Sequence, residues 1–304
     1  MQKVIAVVGP TSSGKTALGV WLAKRIKAGP YLGAEVISAD SRQVYKGLNL
    51  GTGKVTKKEM AGIPHHLLDV ASPKKVFSVS DFKRLGEKAI TLIYQSDHIP
   101  LIVGGTGLYV DVLVGRIVLP DVPPNPELRA KLVGISAEQL MKLLTKADPE
   151  RAATIEPAHT RRIVRALEIA AAVGKSPAKA GAMQGEEKYK VLWIGLNPGQ
   201  EVLGKKIKLR LRARLKQGML REAKKLHQAG LSYKRMQELG LEYRSMAAFL
   251  QKEITENEML AQLDIAITNY AKRQMRWFKR NEQIHWISNK SEALKLVKTF
   301  IAEK

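Results

Sequence analysis

The sequence predicts an α/β fold: a parallel sheet core, an inserted all-helical domain and a helical C-terminal region. Three observations carry this. Continuous β-branched runs alternate with helical sequence near the start. A proline-dense segment then separates that part from a long stretch without strand signal. Finally, an apolar run returns at Tyr189-Lys-Val-Leu-Trp-Ile-Gly-Leu196.

Taken in order, Val4-Ile5-Ala6-Val7-Val8 is unbroken by polar residues, as expected of a strand buried on both faces of a parallel sheet. Residues 9–16 break it. Ala17, Leu18, Trp21 and Leu22 then recur at helical spacing, with Lys24 and Arg25 near the end. Glu35-Val36-Ile37-Ser38 reads as a second strand. Pro100-Leu101-Ile102-Val103 reads as a third, closed by Gly104-Gly105-Thr106-Gly107. Leu119-Pro-Asp-Val-Pro-Pro-Asn-Pro126 holds four prolines in eight residues and reads as a linker, because proline cannot continue a helix or a central strand. Residues 127–173 carry helical sequence, and Gly174-Lys-Ser-Pro177 ends that unit. After the returning strand, residues 201–304 are mainly helical, with a short strand at His285-Trp286-Ile287. The expected boundaries are 1–119 for the core, 120–188 for the insertion and 189–304 for the return to the core with the C-terminal helices.

The 304 residues suffice for a sizeable hydrophobic core. Lys and Arg number 51 against 28 Asp and Glu, a net charge of +23, which points to a polyanionic partner. A hydrophobic fraction of 45% excludes a disordered basic tail. The charge is uneven: residues 1–120 hold 16 basic and 8 acidic side chains, and residues 121–304 hold 35 and 20. The densest piece, residues 205–225, has ten basic residues and one acid, Glu222. The absence of cysteine excludes disulfides, thiolate zinc sites, iron–sulfur clusters and cysteine nucleophiles. No run approaches the roughly 18 apolar residues of a spanning helix. MQKVIAVVGP is broken too early by Gly9-Pro10 to be a signal peptide. A cytoplasmic monomer without membrane attachment is expected.

Gly9-Pro10-Thr11-Ser12-Ser13-Gly14-Lys15-Thr16 matches G-x-x-x-x-G-K-[ST] between a predicted strand and a predicted helix, the context of a P-loop. Such a loop wraps backbone N–H groups around a diphosphate, and the following helix start adds positive potential. Lys15 supplies a point charge. Thr16 can ligate a phosphate-bound Mg²⁺. The motif signals a polyphosphate and leaves open which one, ATP included. A hydrolase of this class also needs an apolar strand ending in Asp, but the third strand ends in Gly-Gly-Thr. The second ends in Asp40, within Ser38-Ala-Asp-Ser-Arg-Gln-Val-Tyr45. In open parallel sheets, sites form beyond the carboxyl ends of strands, so the P-loop, Asp40 and Thr106 should share one cleft. Asp40 fits a metal ligand, a general base or a helix N-cap.

In sequence order, GPTSSGKT, ISADSRQVYKGLNLGTGK, IPHHLLD, IVGGTGLYV, RRIVRALEI and NYAKRQMRWFKR together resemble the bacterial tRNA dimethylallyltransferase (tRNA isopentenyltransferase) family, from Val4 to about Trp286. The resemblance implies a P-loop parallel sheet core with a helical insertion. It also implies transfer of a dimethylallyl group from dimethylallyl diphosphate to N6 of the adenosine 3′-adjacent to the anticodon, with Mg²⁺. Asp40 is then the base for N6, and Lys15, Thr106 and Arg210 stabilise the departing diphosphate. Contacts to the tRNA anticodon stem-loop are implied at Asp40, Ser41, Arg42, Gln43 and Thr106. In the insertion they fall at Arg129, Arg161, Arg162 and Arg165, and near the end at Lys272, Arg273 and Gln274. Trp277 and Phe278 suit either base stacking or the core. His65-His66 lack metal spacing and read as structural or RNA-edge residues.

The chain departs from the family pattern at Gly53-Lys54-Val55, where Pro is usual after the lysine, and at Gly240-Leu-Glu-Tyr-Arg244 in place of a GYKE-like segment. It departs again at Arg276, where Thr is usual, and at Ala158-His159. These positions bear on RNA contacts more than on Lys15, Asp40 or Thr106. Two other functions share the P-loop: a small-molecule kinase, and a non-catalytic, nucleotide-gated RNA-binding protein.

Overall fold

The computed structural model describes residues 1–27, 29–173 and 183–303. It divides into two compact units, Met1–Val114 with Glu187–Lys304, and Gly115–Glu186. Residues 174–177, expected to end the helical stretch 127–173, lie outside the described residues.

The first unit is built on a six-stranded, all-parallel sheet. Its strands are β1 (Lys3–Val8), β2 (Gly33–Ala39), β3 (His65–His66) and β4 (His98–Gly104). The short pair β5 (Ile117–Val118) and β6 (Met183–Gln184) belongs to the second unit, and β7 (Lys190–Leu196) and β8 (His285–Ile287) complete the sheet. The order is β3-β2-β4-β1-β7-β8. Strand β1 is central, paired with β4 on one side and β7 on the other, so the chain returning from the insertion re-enters the sheet beside its first strand.

Both faces of β1 are covered, which is why its apolar run has no alternation. Val4, Ala6 and Val8 pack with Phe82, Ile90 and Ile93 of the helix Val79–Gln95 and with Val110 and Leu113 of Gly107–Val114. Ile5 and Val7 pack with Leu18 and Leu22 of the helix Lys15–Ala23 and with Val297 and Ile301 of Lys290–Ala302. Each of the larger side chains, Val, Leu, Ile and Phe, contributes about 1.5–3 kcal/mol by leaving water. Phe82 and Tyr109 stack with centroids 4.0 Å apart, joining two helices on one face.

Residues 200–278 form helices around a separate apolar cluster that includes Val44, Tyr45 and Leu48 from the segment after β2. The longest, Glu256–Phe278, starts at a capping box in which Thr255 and Glu258 satisfy each other's backbone amides. It buries Met259, Leu263, Ile267, Ala271, Gln274 and Phe278, a single stripe at helical spacing. Among the described residues, no helix is long and apolar enough to cross a membrane.

The second unit contains the helices Pro126–Lys131, Ala137–Ala147, Pro149–Ala152 and Thr160–Val173. They surround a small core of Leu140, Leu144, Ile155, Ile163, Ala166 and Leu167. Its expected helical character holds, with one addition: β5 and β6 form a two-residue antiparallel ladder. Strands this short leave no period-2 signal.

Candidate active site

The P-loop follows β1 at the carboxyl end of the sheet. Gly14 caps the helix Lys15–Ala23 in the left-handed conformation (φ 98°), with no side chain accepting from the first-turn amides. Those amides have no partner within the helix and form an anion site. Lys15 Nζ donates to the Pro10 carbonyl within the same loop. Burial pushes the Lys15 ammonium down to about 7; Asp40 opposes this shift and Arg210 reinforces it.

Asp40 follows the last residue of β2. Its Oδ1 accepts from the Arg42 N–H at 2.8 Å and the Gln43 N–H at 3.2 Å. The carboxylate therefore caps a turn, and no helix follows it. Among the described residues no protein donor occupies Oδ2. Thr106 Oγ1 accepts from the Ser41 N–H at 3.1 Å, and its side chain also hydrogen-bonds to the Tyr270 phenol. Burial raises the Tyr270 phenol to about 12, the Asp40 charge adds to the shift, and Thr106 opposes it.

The P-loop, Asp40 and Tyr270 open into a cavity of about 850 Å³; Thr106, expected in the same cleft, follows the lining residue Gly105 but is not itself part of the lining. Of the expected diphosphate contacts, Thr11, Ser12, Gly14, Lys15 and Thr16 line it; Gly9, Pro10 and Ser13 form the loop behind. Asp40, Ser41, Arg42 and Gln43 line it from β2, and Arg210 and Arg273 from the helices. Arg210 Nη2 donates to the Gly53 carbonyl at 2.8 Å. Arg273 lies 5.9 Å from the Tyr270 ring centroid, while Lys272 points to solvent. The sequence reading missed Tyr270 and the Thr52-Gly53 wall. Tyr270 was legible, because it sits one helical turn before Gln274 on the face that meets the sheet.

Gln274, expected to contact RNA, is 6% exposed. Its Oε1 accepts from the Thr11 N–H and its Nε2 donates to the Gly105 carbonyl, both at 2.8 Å. Both ends of the amide are engaged on protein, so Gln274 ties the P-loop to the end of β4. Phe278 is core, and Trp277 packs against the core while its indole N–H donates to Asp111 at 2.7 Å. His66 pairs with Glu35 at 2.7 Å, and His65 bonds to the Ile63 carbonyl.

The insertion's arginines belong to the second unit and divide by exposure. Arg161 and Arg162 are exposed. Arg129 and Arg165 converge on Glu168, whose side chain is fully buried. Arg129 donates to it through Nε (2.7 Å) and Nη2 (3.1 Å). Arg165 donates to it at 3.1 Å and to the Val122 carbonyl at 2.6 Å. These two guanidiniums are engaged inside the unit.

No group of three or more His, Asp or Glu side chains that could hold a metal converges among the described residues. A cavity-lining Thr16 at the start of a phosphate-binding helix fits Mg²⁺ all the same, because this ion takes few protein ligands and completes its shell with phosphate oxygens and water.

A parallel sheet with a P-loop, a strand-end aspartate and a cation-lined cavity defines a P-loop α/β protein with a candidate site for a phosphorylated group. The family model described as IPP transferase matches residues 43–281, and the chain belongs to that family. A tRNA dimethylallyltransferase 1 from Geotalea uraniireducens is 38% identical over 297 residues, covering 96% of this chain and 94% of the relative. The crystal structure of the full-length tRNA isopentenylpyrophosphate transferase from Bacillus halodurans aligns with a TM-score of 0.72 at 35% identity, over 99% of this chain and 96% of that one. A eukaryotic dimethylallyltransferase acting on tRNA aligns with a TM-score of 0.77 at 26% identity, over 91% and 70%.

Proposed function

We propose that this chain transfers the dimethylallyl group of dimethylallyl diphosphate to N6 of the adenosine 3′-adjacent to the anticodon of tRNA, giving N6-isopentenyladenosine. The observation that carries the reading is one cavity joining the unpartnered Asp40 Oδ2 to Lys15, Arg210 and the P-loop amides. The N6 amine is a weak nucleophile, because its lone pair is shared with the purine. As N6 bonds to C1 of the dimethylallyl group, the C1–O bond breaks and the electron pair leaves with diphosphate. The N6 proton passes to Asp40. Negative charge growing on the leaving oxygens meets the P-loop amides, Lys15, Arg210 and the Thr106 hydroxyl. Thr16 would hold Mg²⁺ against the diphosphate, where the ion supplies further positive charge.

The adenosine must leave its loop stack to reach Asp40, a cost of a few kcal/mol that is smallest in unpaired RNA. Ser41, Arg42, Gln43 and Arg273 stand at the cavity to receive it and its neighbours. Lys272, Arg161 and Arg162 are exposed for the RNA backbone. We read the protein as a monomer and, because its substrate is tRNA, as cytoplasmic.

The test incubates the protein with unmodified tRNA, Mg²⁺ and either dimethylallyl diphosphate or ATP, then weighs the digested nucleosides. The expected result is a dimethylallyl increment on adenosine that disappears in Asp40→Ala. Phosphoryl transfer from ATP without a prenylated nucleoside overturns the reading in favour of a kinase. Salt-sensitive tRNA binding with neither product overturns it in favour of a non-catalytic RNA-binding protein.

A further inference from the structure

Among the described residues no carboxylate pairs with Arg210. Its orientation comes from the Gly53 carbonyl, which Gln43 Nε2 also approaches at 3.5 Å. Gly53 belongs to a turn over residues 48–54, closed internally by Gly53 N–H to Leu50 O at 3.1 Å and Lys54 N–H to Asn49 O at 2.8 Å.

One side chain caps this turn from a distant part of the chain. Glu222, on the helix Met219–Gln228, accepts from three successive amides. Its Oε2 takes the Asn49 N–H at 3.0 Å and the Leu50 N–H at 2.8 Å, and its Oε1 takes the Gly51 N–H at 2.9 Å. The fourth acceptor position is filled by the phenol of Tyr243 at 2.8 Å. Tyr243 is buried, and a Cβ on Gly51 would fall 2.5 Å from its ring, so the turn packs tightly against the phenol end of Tyr243. From the other side Arg214 donates to the Leu50 and Gly51 carbonyls at 3.1 and 2.9 Å, itself held by Glu242. Donors and acceptors of the same turn are thus clamped by opposite charges.

We infer that Glu222, assisted by Tyr243, is a positioning residue for the transfer reaction: it fixes the turn whose Gly53 carbonyl aims Arg210 into the cleft. The inference rests on the reading of Arg210 as a cation facing the diphosphate. A carboxylate is required because all four of its acceptor positions are used. A glutamine would turn an NH₂ toward two of the four donors.

The test is a kinetic double-mutant cycle with Glu222→Gln and Arg210→Ala, measuring kcat and KM for dimethylallyl diphosphate and for tRNA. Misplacement of a group in the cleft costs up to about 10²-fold, so Glu222→Gln should lower kcat by roughly 10- to 10²-fold. The KM for tRNA should be nearly unchanged. In the Arg210→Ala background the same substitution should have no further effect. Tyr243→Phe removes one of the four bonds and should show a smaller loss, again absent without Arg210; it carries the test if Glu222→Gln loses its cooperative thermal transition. If Arg210→Ala is impaired and the Glu222 or Tyr243 effect multiplies with it, this inference falls while Arg210 keeps its role. If Arg210→Ala is as active as the unsubstituted protein, the role of Arg210 falls and the inference with it.

Discussion

Replacing Glu168 with glutamine should unfold the insertion before it affects the sheet. The side chain is fully buried, and it accepts from Arg129 twice, from the Asn125 N–H at 2.8 Å and from Arg165. Breaking a buried ion pair by removing one partner costs about 3–5 kcal/mol. Here the two arginines are 52% and 34% exposed and can rehydrate, which argues for the lower end, about 3 kcal/mol. That is large against the five buried Leu and Ile side chains of the unit's core, each contributing about 1.5–3 kcal/mol before chain entropy is subtracted. Hydrogen exchange followed by peptide mass spectrometry should show faster exchange across residues 126–173, with β1 and β4 still protected. The pH dependence supplies a second signature. Burial pushes the Glu168 carboxyl up, but Arg129, the Asn125 amide and Arg165 together hold it below its usual range. A carboxyl depressed in the folded state stabilises above its unfolded pKa, and that contribution is lost as pH falls through the folded value. The unsubstituted protein should therefore lose insertion stability in acid, and Glu168→Gln should lack that component. Unchanged exchange in the variant, or an identical acid profile, would refute the reasoning.

Four further outcomes are expected. Lys15→Met should abolish transfer yet raise the thermal midpoint of the ligand-free protein at neutral pH. Because the folded-state pKa near 7 lies below the unfolded 10.5, the unfolded state binds more protons between those values. Native Lys15 stability should thus climb toward that of Lys15→Met as pH rises through this window. Asp40→Asn should lower single-turnover transfer by about 10²- to 10⁴-fold without weakening donor binding, measured by rapid quench. Gln274→Ala leaves the Thr11 N–H and Gly105 carbonyl without their partner and should cost about 1–3 kcal/mol in chemical denaturation, with a raised KM for the donor. Neutralising Arg161 and Arg162 should make the fall of tRNA affinity with salt shallower, by about 0.7–0.9 in the log–log slope for each phosphate that is no longer neutralised; an unchanged slope shows that neither arginine meets a phosphate.

The parts legible in the sequence are those set by neighbours in the chain. Val4 to Val8 announces a doubly covered strand, and Gly9 to Thr16 announces a phosphate loop, because run length and spacing are local properties. Strands β3, β5 and β6 have two residues each and carry no periodicity. Gln274 is the instructive case. Its place on the buried stripe with Ile267, Ala271 and Phe278 could be counted from the sequence, yet the basic residues around it suggested RNA. Periodicity was the better guide, because a position on a buried face is occupied by a polar group only if that group has partners inside. Glu168 and Glu222 were beyond reach for another reason. Apart from Arg165, three residues before Glu168, their partners lie 39 to 43 residues from Glu168 and 21 or 171 to 173 residues from Glu222, and only the folded chain brings these together.

The basic surplus has the same double character. Arg214 is 9% exposed, pairs with Glu242 and holds two carbonyls. Arg235 binds the Pro73 and Lys75 carbonyls and Glu238. Lys54 is buried between the Tyr45 carbonyl and Asp69. With Arg165, these cations fasten loops and turns through backbone carbonyl oxygens, and Arg129 joins them through the shared Glu168 carboxylate. These five cations pair with four carboxylates, Arg129 and Arg165 sharing Glu168, so together they add little to the field a polyanion meets. That field must come from cations that pair with no carboxylate among the described residues, including Arg161, Arg162 and Lys272 on the surface and Arg42, Lys206 and Arg273 around the cavity. The number of phosphates the protein can engage therefore follows from the unpaired exposed cations. The net charge of +23 overlooks the distinction, because it counts a lysine locked under a turn and one facing solvent alike.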